Sequence, residues 1–155
     1  MEAVCYTLEA AIEKAIEQEQ RSFNIYRKAL KVVKDKQARM LLEEMAHEEL
    51  EHRQILEKAL VGEIVALHEK GESTGPSMNL SYILQEKPLD ENSNPQDVMV
   101  YAIHDEKRSV DFYKQMATHC EGAPMADMFS KLQEQEAIHL TKLEEAYEKL
   151  YMSQM

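Results

Sequence analysis

Hydrophobic residues recur at intervals of three and four along four long segments of the chain, which is the spacing of amphipathic α-helices. The segments run from about Thr7 to Lys34, Asp35 to His68, Pro95 to Cys120 and Pro124 to Tyr151. Short connections within each pair predict two antiparallel helical hairpins. We therefore expect an all-α four-helix bundle forming a single domain over residues 1–155. Its hairpins span 7–69 and 95–151, and a long crossover linker spans 70–94.

Residues suited to helix ends stand at the predicted boundaries. Asp35 precedes the second segment, and Asn94 precedes Pro95, a residue favoured at the first helical position. The sequence Glu121-Gly-Ala-Pro124 ends the third segment. The linker is rich in Gly, Pro, Ser and Asn, and only its stretch from Met78 to Leu84 is modestly apolar.

Charge and composition exclude several classes of function. The chain has 29 acidic and 18 basic residues and a net charge of −11, which argues against binding nucleic acid. Its apolar runs are too short to span a membrane, and no export signal is visible at the N-terminus, so we expect a cytoplasmic protein. Cys5 and Cys120 form no Cys-x-x-Cys motif, which excludes zinc ribbons and rubredoxin-type iron sites. Both are expected to be reduced, with Cys120 buried.

Each predicted apolar stripe is interrupted near its middle by ionisable residues. They are Glu19 in the first segment, Glu49 and His52 in the second, Glu106 in the third, and Glu136 and His139 in the fourth. An unpaired buried carboxylate costs several kcal/mol, so four of them require a compensating charge. A buried salt-bridge network could supply it, but the stripes carry no Lys or Arg at these levels.

The interruptions repeat in register. The two glutamates of each hairpin are 30 residues apart, and a constant offset of 87 superposes the first hairpin on the second. This pattern indicates an internal duplication, and residues equidistant from each turn should meet at one height. Four carboxylates and two imidazoles would then converge, a donor set that suits two divalent ions of iron, manganese or zinc. Two carboxylates can bridge the ions, and one Glu and one His can terminate each.

The motifs that surround these residues resemble those of the ferritin-like superfamily, and within it the rubrerythrin-like di-iron carboxylate proteins. They are Glu19-Gln-Arg-Ser-Phe-Asn-Ile-Tyr26, Ala46-His-Glu-Glu49-Leu-Glu-His52, the stretch from Glu106 to Tyr113, and Gln133-Glu-Gln-Glu136-Ala-Ile-His139. The resemblance covers all four helices. It implies a ferritin-like bundle with two metal ions, expected to be iron, with manganese and zinc as alternatives.

Two features depart from the typical rubrerythrin pattern. The chain has no cysteines with which to build the rubredoxin-like domain that supplies electrons in such proteins. The position three residues after Glu106, often a further glutamate in the family, is Ser109. The site is therefore expected to have six symmetric ligands, which puts the redox-linked exchange of a ligand in doubt.

The resemblance implies a redox enzyme that reduces hydrogen peroxide or dioxygen. Its electrons would come from an external donor such as a rubredoxin-like protein, and the six ligands would serve catalysis through the metals. The alternative functions are a ferroxidase or iron-storage module, although the irregular crossover is unlike a cage subunit, and a bundle whose metal is only structural. We also expect a homo-oligomer, a dimer.

Other residues near the stripes have simpler interpretations. Tyr26 and Tyr113 either hydrogen-bond the ligand carboxylates or are ordinary core tyrosines. Ser22 and Ser109 are expected to be small residues that leave room beside the metals. The remaining histidines, His47, His68, His104 and His119, are expected at the surface. The acidic residues Glu43, Glu44, Glu48 and Glu51 are expected on the solvated face of the second helix.

Overall fold

The structure is a computed structural model that describes residues 8–63 and 76–152, and within these ranges it contains helices and no strand. The four α-helices are α1 (Leu8–Val32), α2 (Lys36–Leu60), α3 (Pro95–His119) and α4 (Pro124–Tyr147). Helix α1 packs along α2 and α3 packs along α4, while α1 also contacts α3 and α2 contacts α4. The expected all-α four-helix bundle is confirmed. No helix in the described ranges is long and apolar enough to cross a membrane.

The two predicted N-caps are present. The carboxylate of Asp35 accepts a hydrogen bond from the backbone N–H of Ala38 at 2.9 Å. The side-chain oxygen of Asn94 accepts one from the backbone N–H of Asp97 at 2.8 Å. These bonds satisfy N–H groups that lack an intrahelical partner, so they fix where α2 and α3 begin.

The C-terminal ends differ in detail from the predicted segments. Helix α2 ends at Leu60, before the predicted His68, because Gly62 adopts a φ of +85° that turns the chain out of the helix. Residues 64–75, including His68, lie outside the described ranges. Helix α4 gives way to a π-helical turn at Glu148–Met152, close to the predicted end of the fourth segment. The division into 7–69, 70–94 and 95–151 stays a prediction.

The apolar core consists of two clusters at opposite ends of the bundle. Near the turn between α1 and α2, the largest buried side chains include Tyr26, Leu42, Met45, Met99, Ile103 and Leu143. Near the turn between α3 and α4, they include Ile12, Leu56, Tyr113, Met125, Phe129 and Leu132. A layer of polar side chains therefore separates the two clusters, and this layer requires a chemical explanation.

The described part of the crossover, residues 76–94, is anchored to α4 by one buried carboxylate. Glu144 is fully buried and accepts hydrogen bonds from the hydroxyl of Ser77 at 2.8 and 2.9 Å. It also accepts bonds from the backbone N–H groups of Met78 and Leu80, each at 3.1 Å. The short 3₁₀ turn Leu80–Tyr82 follows, and its Leu80 side chain enters the first apolar cluster. This anchor was not foreseen from the sequence.

Candidate metal centre

Six ionisable side chains form the polar layer between the apolar clusters. They are Glu19 of α1, Glu49 and His52 of α2, Glu106 of α3, and Glu136 and His139 of α4. The four carboxylates are 0% exposed and the two imidazoles are 2% exposed. The structure therefore brings together all the candidate ligands that the sequence singled out. Their role as ligands remains a prediction.

Potential donor atoms in this layer form two overlapping groups, and within each group the atoms lie within 4.8 Å of one another. The first group is Glu19, Glu49, His52 and Glu136, and the second is Glu49, Glu106, Glu136 and His139. Glu49 and Glu136 belong to both groups. The geometry therefore suits two cations that share these two carboxylates, with one further Glu and one His on each side.

Eight buried atoms of the layer have no hydrogen-bond partner in the part of the chain that the structure describes. They are both carboxylate oxygens of Glu49 and of Glu136, Oε1 of Glu19, Oε2 of Glu106, and Nδ1 of His52 and of His139. Native proteins rarely leave buried polar atoms unpaired, because each unpaired group costs about 1–3 kcal/mol, and more when it is charged. Two divalent cations would pair with all eight atoms at once.

The other oxygens of Glu19 and Glu106 are held by tyrosines. Tyr26 donates its hydroxyl to Oε1 of Glu106, and Tyr113 donates to Oε2 of Glu19 at 2.5 Å. Burial and the charge of the neighbouring glutamates raise the pKa of both phenols well above 10, so both stay protonated as donors. Each bond crosses from one hairpin to the other. The interpretation of these tyrosines as partners of the ligand carboxylates is therefore the one that the structure supports.

The two imidazoles are oriented by hydrogen bonds on their outer nitrogens. Nε2 of His52 donates to Oε1 of Gln135 at 2.5 Å, and Nε2 of His139 donates to Oε1 of Glu48 at 2.8 Å. Their Nδ1 atoms face the carboxylates and lie 3.3 and 3.6 Å, respectively, from Oε1 of Glu49. A proton held on Nε2 leaves the lone pair of Nδ1 available to a metal.

Sequence reasoning missed both of these outer partners. The placement of Glu48 on the solvated face is wrong, because its side chain is only 13% exposed and contacts His139. Gln135 was not singled out, and it is buried. A usable signal was present, since the offset of 87 that relates the two histidines also relates Glu48 to Gln135.

A further pair of contacts joins the hairpins beside the glutamates. Ser22 donates to Oδ2 of Asp105 at 2.7 Å, and Gln18 donates to the hydroxyl of Ser109 at 2.9 Å. Both serines are fully buried, so besides being small they help to fix the distance between α1 and α3. Asp105 is 1% exposed and was also missed, because it lies next to Glu106 and off the predicted stripe.

A sequence model of the rubrerythrin family matches residues 10–92, just over half of the chain. The chain belongs to the rubrerythrin family. This is a ferritin-like di-iron family, which agrees with the buried carboxylates and imidazoles. Neither the comparison with curated proteins nor the comparison with solved structures yields a match. The matched residues include the candidate ligands of α1 and α2 only, so those of α3 and α4 are assigned from the duplication and the geometry.

The buried carboxylates of this rubrerythrin site lie close together, and their mutual repulsion shifts the pKa values of several groups in the polar layer. Burial and the neighbouring carboxylates raise the pKa of Glu49 well above its usual value and that of Glu136 to about 7. Burial alone would lower the pKa of His52, but the negative charge of Glu19 close by raises it to about 9. The pKa of His139 is raised as well, because the carboxylates that surround it outweigh the effect of burial. Without a cation the layer holds protons, which a metal would displace.

The remaining expectations have mixed outcomes. His47, Glu43, Glu44 and Glu51 are exposed, as predicted. His104 is half-buried and its Nε2 bonds the carbonyl oxygen of Leu84 at 2.7 Å, so its placement at the surface is wrong. His119 is half-buried too. Cys120 is buried but disulfide-bonded, which corrects the expectation of a reduced thiol, and Cys5 lies outside the described ranges.

Proposed function

We propose that this protein is a non-haem di-iron redox enzyme that reduces hydrogen peroxide or dioxygen. It would draw electrons from an external donor such as a rubredoxin-like protein. Membership of the rubrerythrin family and the buried cluster of carboxylates and imidazoles support a di-metal site. Iron is the proposed metal, with manganese or zinc as alternatives, because carboxylate and imidazole donors without thiolate suit these ions.

The observation that carries the proposal is the set of eight unpaired buried atoms. A structural bundle could fill its centre with apolar side chains, which are often equally or more stable than buried charges. Here both oxygens of Glu49 and of Glu136 lack partners, whereas Glu19 and Glu106 each have one oxygen held by a tyrosine. This difference is the one expected between two bridging and two terminal carboxylates.

When bound, two ferrous ions would supply two electrons and act as Lewis acids. Reduction of one hydrogen peroxide consumes two electrons and two protons and yields two waters. The protein's own contribution is to fix the carboxylates, through Tyr26 and Tyr113, and the imidazoles, through Glu48 and Gln135. The two apolar clusters on either side limit the access of bulk water.

The test is anaerobic loading of the metal-free protein with ferrous iron, followed by addition of hydrogen peroxide. We expect two iron ions per chain, oxidation of both by about one equivalent of peroxide, and renewed consumption after re-reduction by a rubredoxin-like protein. His52→Ala should lose this behaviour. His47→Ala, which alters an exposed histidine on the same helix, should keep it.

Other outcomes would redirect the assignment. Iron that accumulates far beyond two ions per chain would favour the ferroxidase or storage function. Two tightly held ions that do not react with peroxide or dioxygen would favour a structural metal. A protein that binds no divalent metal would contradict the proposal altogether.

A further inference from the structure

The two candidate metal positions share the same kinds of inner donor but differ in what contacts those donors from outside. In the position that contains His139, the outer nitrogen donates to the carboxylate of Glu48. In the position that contains His52, it donates to the amide of Gln135. Glu48 and Gln135 are equivalent positions of the duplication, since both precede a histidine by four residues and they differ by 87. The two equivalent positions therefore carry an acid on one side and its neutral isostere on the other.

A second difference has the same direction. Asp105, which directly precedes Glu106, accepts a hydrogen bond from Ser22, whereas its equivalent Gln18 donates one to Ser109. Asp105 is the buried acid of this pair, and it lies beside the metal position that contains Glu106 and His139. Arginine side chains also act on Asp105, so its charge is partly offset. Glu48, which is bonded directly to a candidate ligand, is the stronger of the two differences.

We propose that Glu48 makes the two metal positions unequal, so that the position held by Glu106 and His139 binds its cation more tightly and fills first. The inference rests on the proposed di-metal function. A carboxylate that accepts the Nε2 proton increases the basicity of Nδ1 and adds a negative charge close to the cation. The amide of Gln135 orients His52 equally well but supplies no net charge.

The experiment is a titration of the metal-free, full-length protein with Co²⁺. Calorimetry and the visible absorption of bound cobalt monitor the binding. The wild-type protein should bind two ions in steps whose affinities differ by roughly tenfold or more. Glu48→Gln should weaken the tighter step by about tenfold, and Gln135→Glu should tighten the weaker step by a similar factor. The gain from Gln135→Glu is the decisive readout, because damage to packing alone would not increase affinity.

Single-position variants assign each step. His52→Ala leaves intact the metal position that contains Glu106 and His139. His139→Ala leaves intact the metal position that contains Glu19 and His52. The first variant should bind one Co²⁺ about tenfold more tightly than the second. Adding Glu48→Gln to His52→Ala should remove this advantage, whereas Glu51→Gln, at an exposed position on the same helix, should not. Helicity measured by circular dichroism verifies that the variants are folded.

The outcomes separate the inference from the function on which it rests. Equal Co²⁺ affinities in the two histidine variants, or no gain from Gln135→Glu, would overturn the inference and leave a symmetric di-metal site. Should the wild-type protein bind no Co²⁺, Fe²⁺ or Mn²⁺, the proposed function itself fails. The double variant Glu48→Gln/Gln135→Glu is the strictest test, because it should restore two separated steps with their positions exchanged.

Discussion

The hairpin of α1 and α2 and the hairpin of α3 and α4 are alike inside the site and different around it. Both contribute one Glu followed 30 residues later by a Glu-x-x-His, and both contribute a tyrosine that bonds the first of these glutamates in the other hairpin. Around this common centre, neutral and acidic residues have been exchanged between equivalent positions. The two hairpins therefore supply the same inner residues to the site, whereas the residues that contact them from outside differ in charge.

A second contrast lies farther from the centre. Glu144 of α4 is fully buried and anchors the crossover. Its equivalent on α2, 87 residues earlier, is Glu57, whose side chain is 51% exposed and lies 3.8 Å from Arg53. Only the second hairpin holds the described part of the crossover in this way. The same residue type thus carries a structural role in one copy and a surface role in the other.

Loss of an inner carboxylate should have the largest effect and should divide the ligands into two classes. Glu49→Ala removes a carboxylate expected to be shared by both metal positions and should abolish binding of the metal pair, whereas Glu19→Ala should leave one tightly held ion and a second, weakly held one. In the number of ions that stay bound, Glu136→Ala should match Glu49→Ala, and Glu106→Ala should match Glu19→Ala. Elemental analysis after equilibrium dialysis measures the stoichiometry.

Glu51→Ala, at an exposed position of α2, is the control and should retain two ions. Helicity should be preserved in all of these variants, since removing a buried charge does not weaken the apolar packing on either side. If Glu49→Ala keeps two ions with normal affinity, the shared-carboxylate geometry is wrong.

Removal of the metal should make stability depend on pH, in a direction that the pKa shifts determine. Glu136 titrates near pH 7 when folded against an ordinary 4.5, and His52 near pH 9 against 6.5. In both cases the folded state holds its proton to higher pH, so the stabilisation is complete at low pH and is lost as pH rises through the folded pKa. Chelated protein should therefore lose roughly a few kcal/mol of unfolding free energy between pH 4.5 and 9.

Denaturant unfolding at several pH values, with and without bound metal, measures this difference. The unfolding free energy of metal-loaded protein should change much less with pH, because the cations replace the displaced protons. Identical profiles for chelated and loaded protein would mean that the polar layer does not hold the metal.

Much of the fold could be predicted because local sequence patterns determine where the helices lie. The three-four spacing locates the helices, and Asp35, Asn94 and Pro95 mark their starts. The predicted end of α2 lies too far toward the C-terminus. Apolar residues continue at helical spacing beyond Gly62, although the backbone leaves the helix there. The crossover was described only as a linker, since its anchor at Glu144 joins residues more than 60 positions apart.

The site was predictable for a different reason, namely that charged residues on an apolar stripe are conspicuous. All six candidate ligands were found in this way. Glu48, Gln135 and Asp105 were missed because each lies beside a stripe, where polar residues are ordinary and only tertiary contacts reveal burial. Periodicity identifies which residues face the centre of the bundle, but it does not tell which neighbours reach them from an adjacent helix.

The contrast between Glu144 and Glu57 predicts an intermediate effect on stability. Glu144→Ala leaves the buried N–H group of Leu80 and the partly buried N–H group of Met78 without their acceptor and should lower the unfolding free energy by about 3 kcal/mol. Glu57→Ala breaks a solvent-exposed ion pair and should cost less than about 1 kcal/mol. Chemical denaturation of the two variants measures both values. Equal losses would show that the crossover anchor contributes no more than a surface contact.

The last prediction tests whether the two tyrosine–glutamate contacts contribute equally to metal binding. Tyr26→Phe and Tyr113→Phe each delete one hydrogen bond to a terminal glutamate, at Glu106 and Glu19 respectively, and leave the ring packed in its apolar cluster. Each should weaken one metal position by about tenfold and leave the other unchanged. Tyr82→Phe, at an exposed tyrosine of the crossover, should change neither. Because the two tyrosine contacts are equivalent, the losses should match in size, and Co²⁺ titration compares them directly. A loss confined to one variant would place the asymmetry of the site in the tyrosines and not in Glu48.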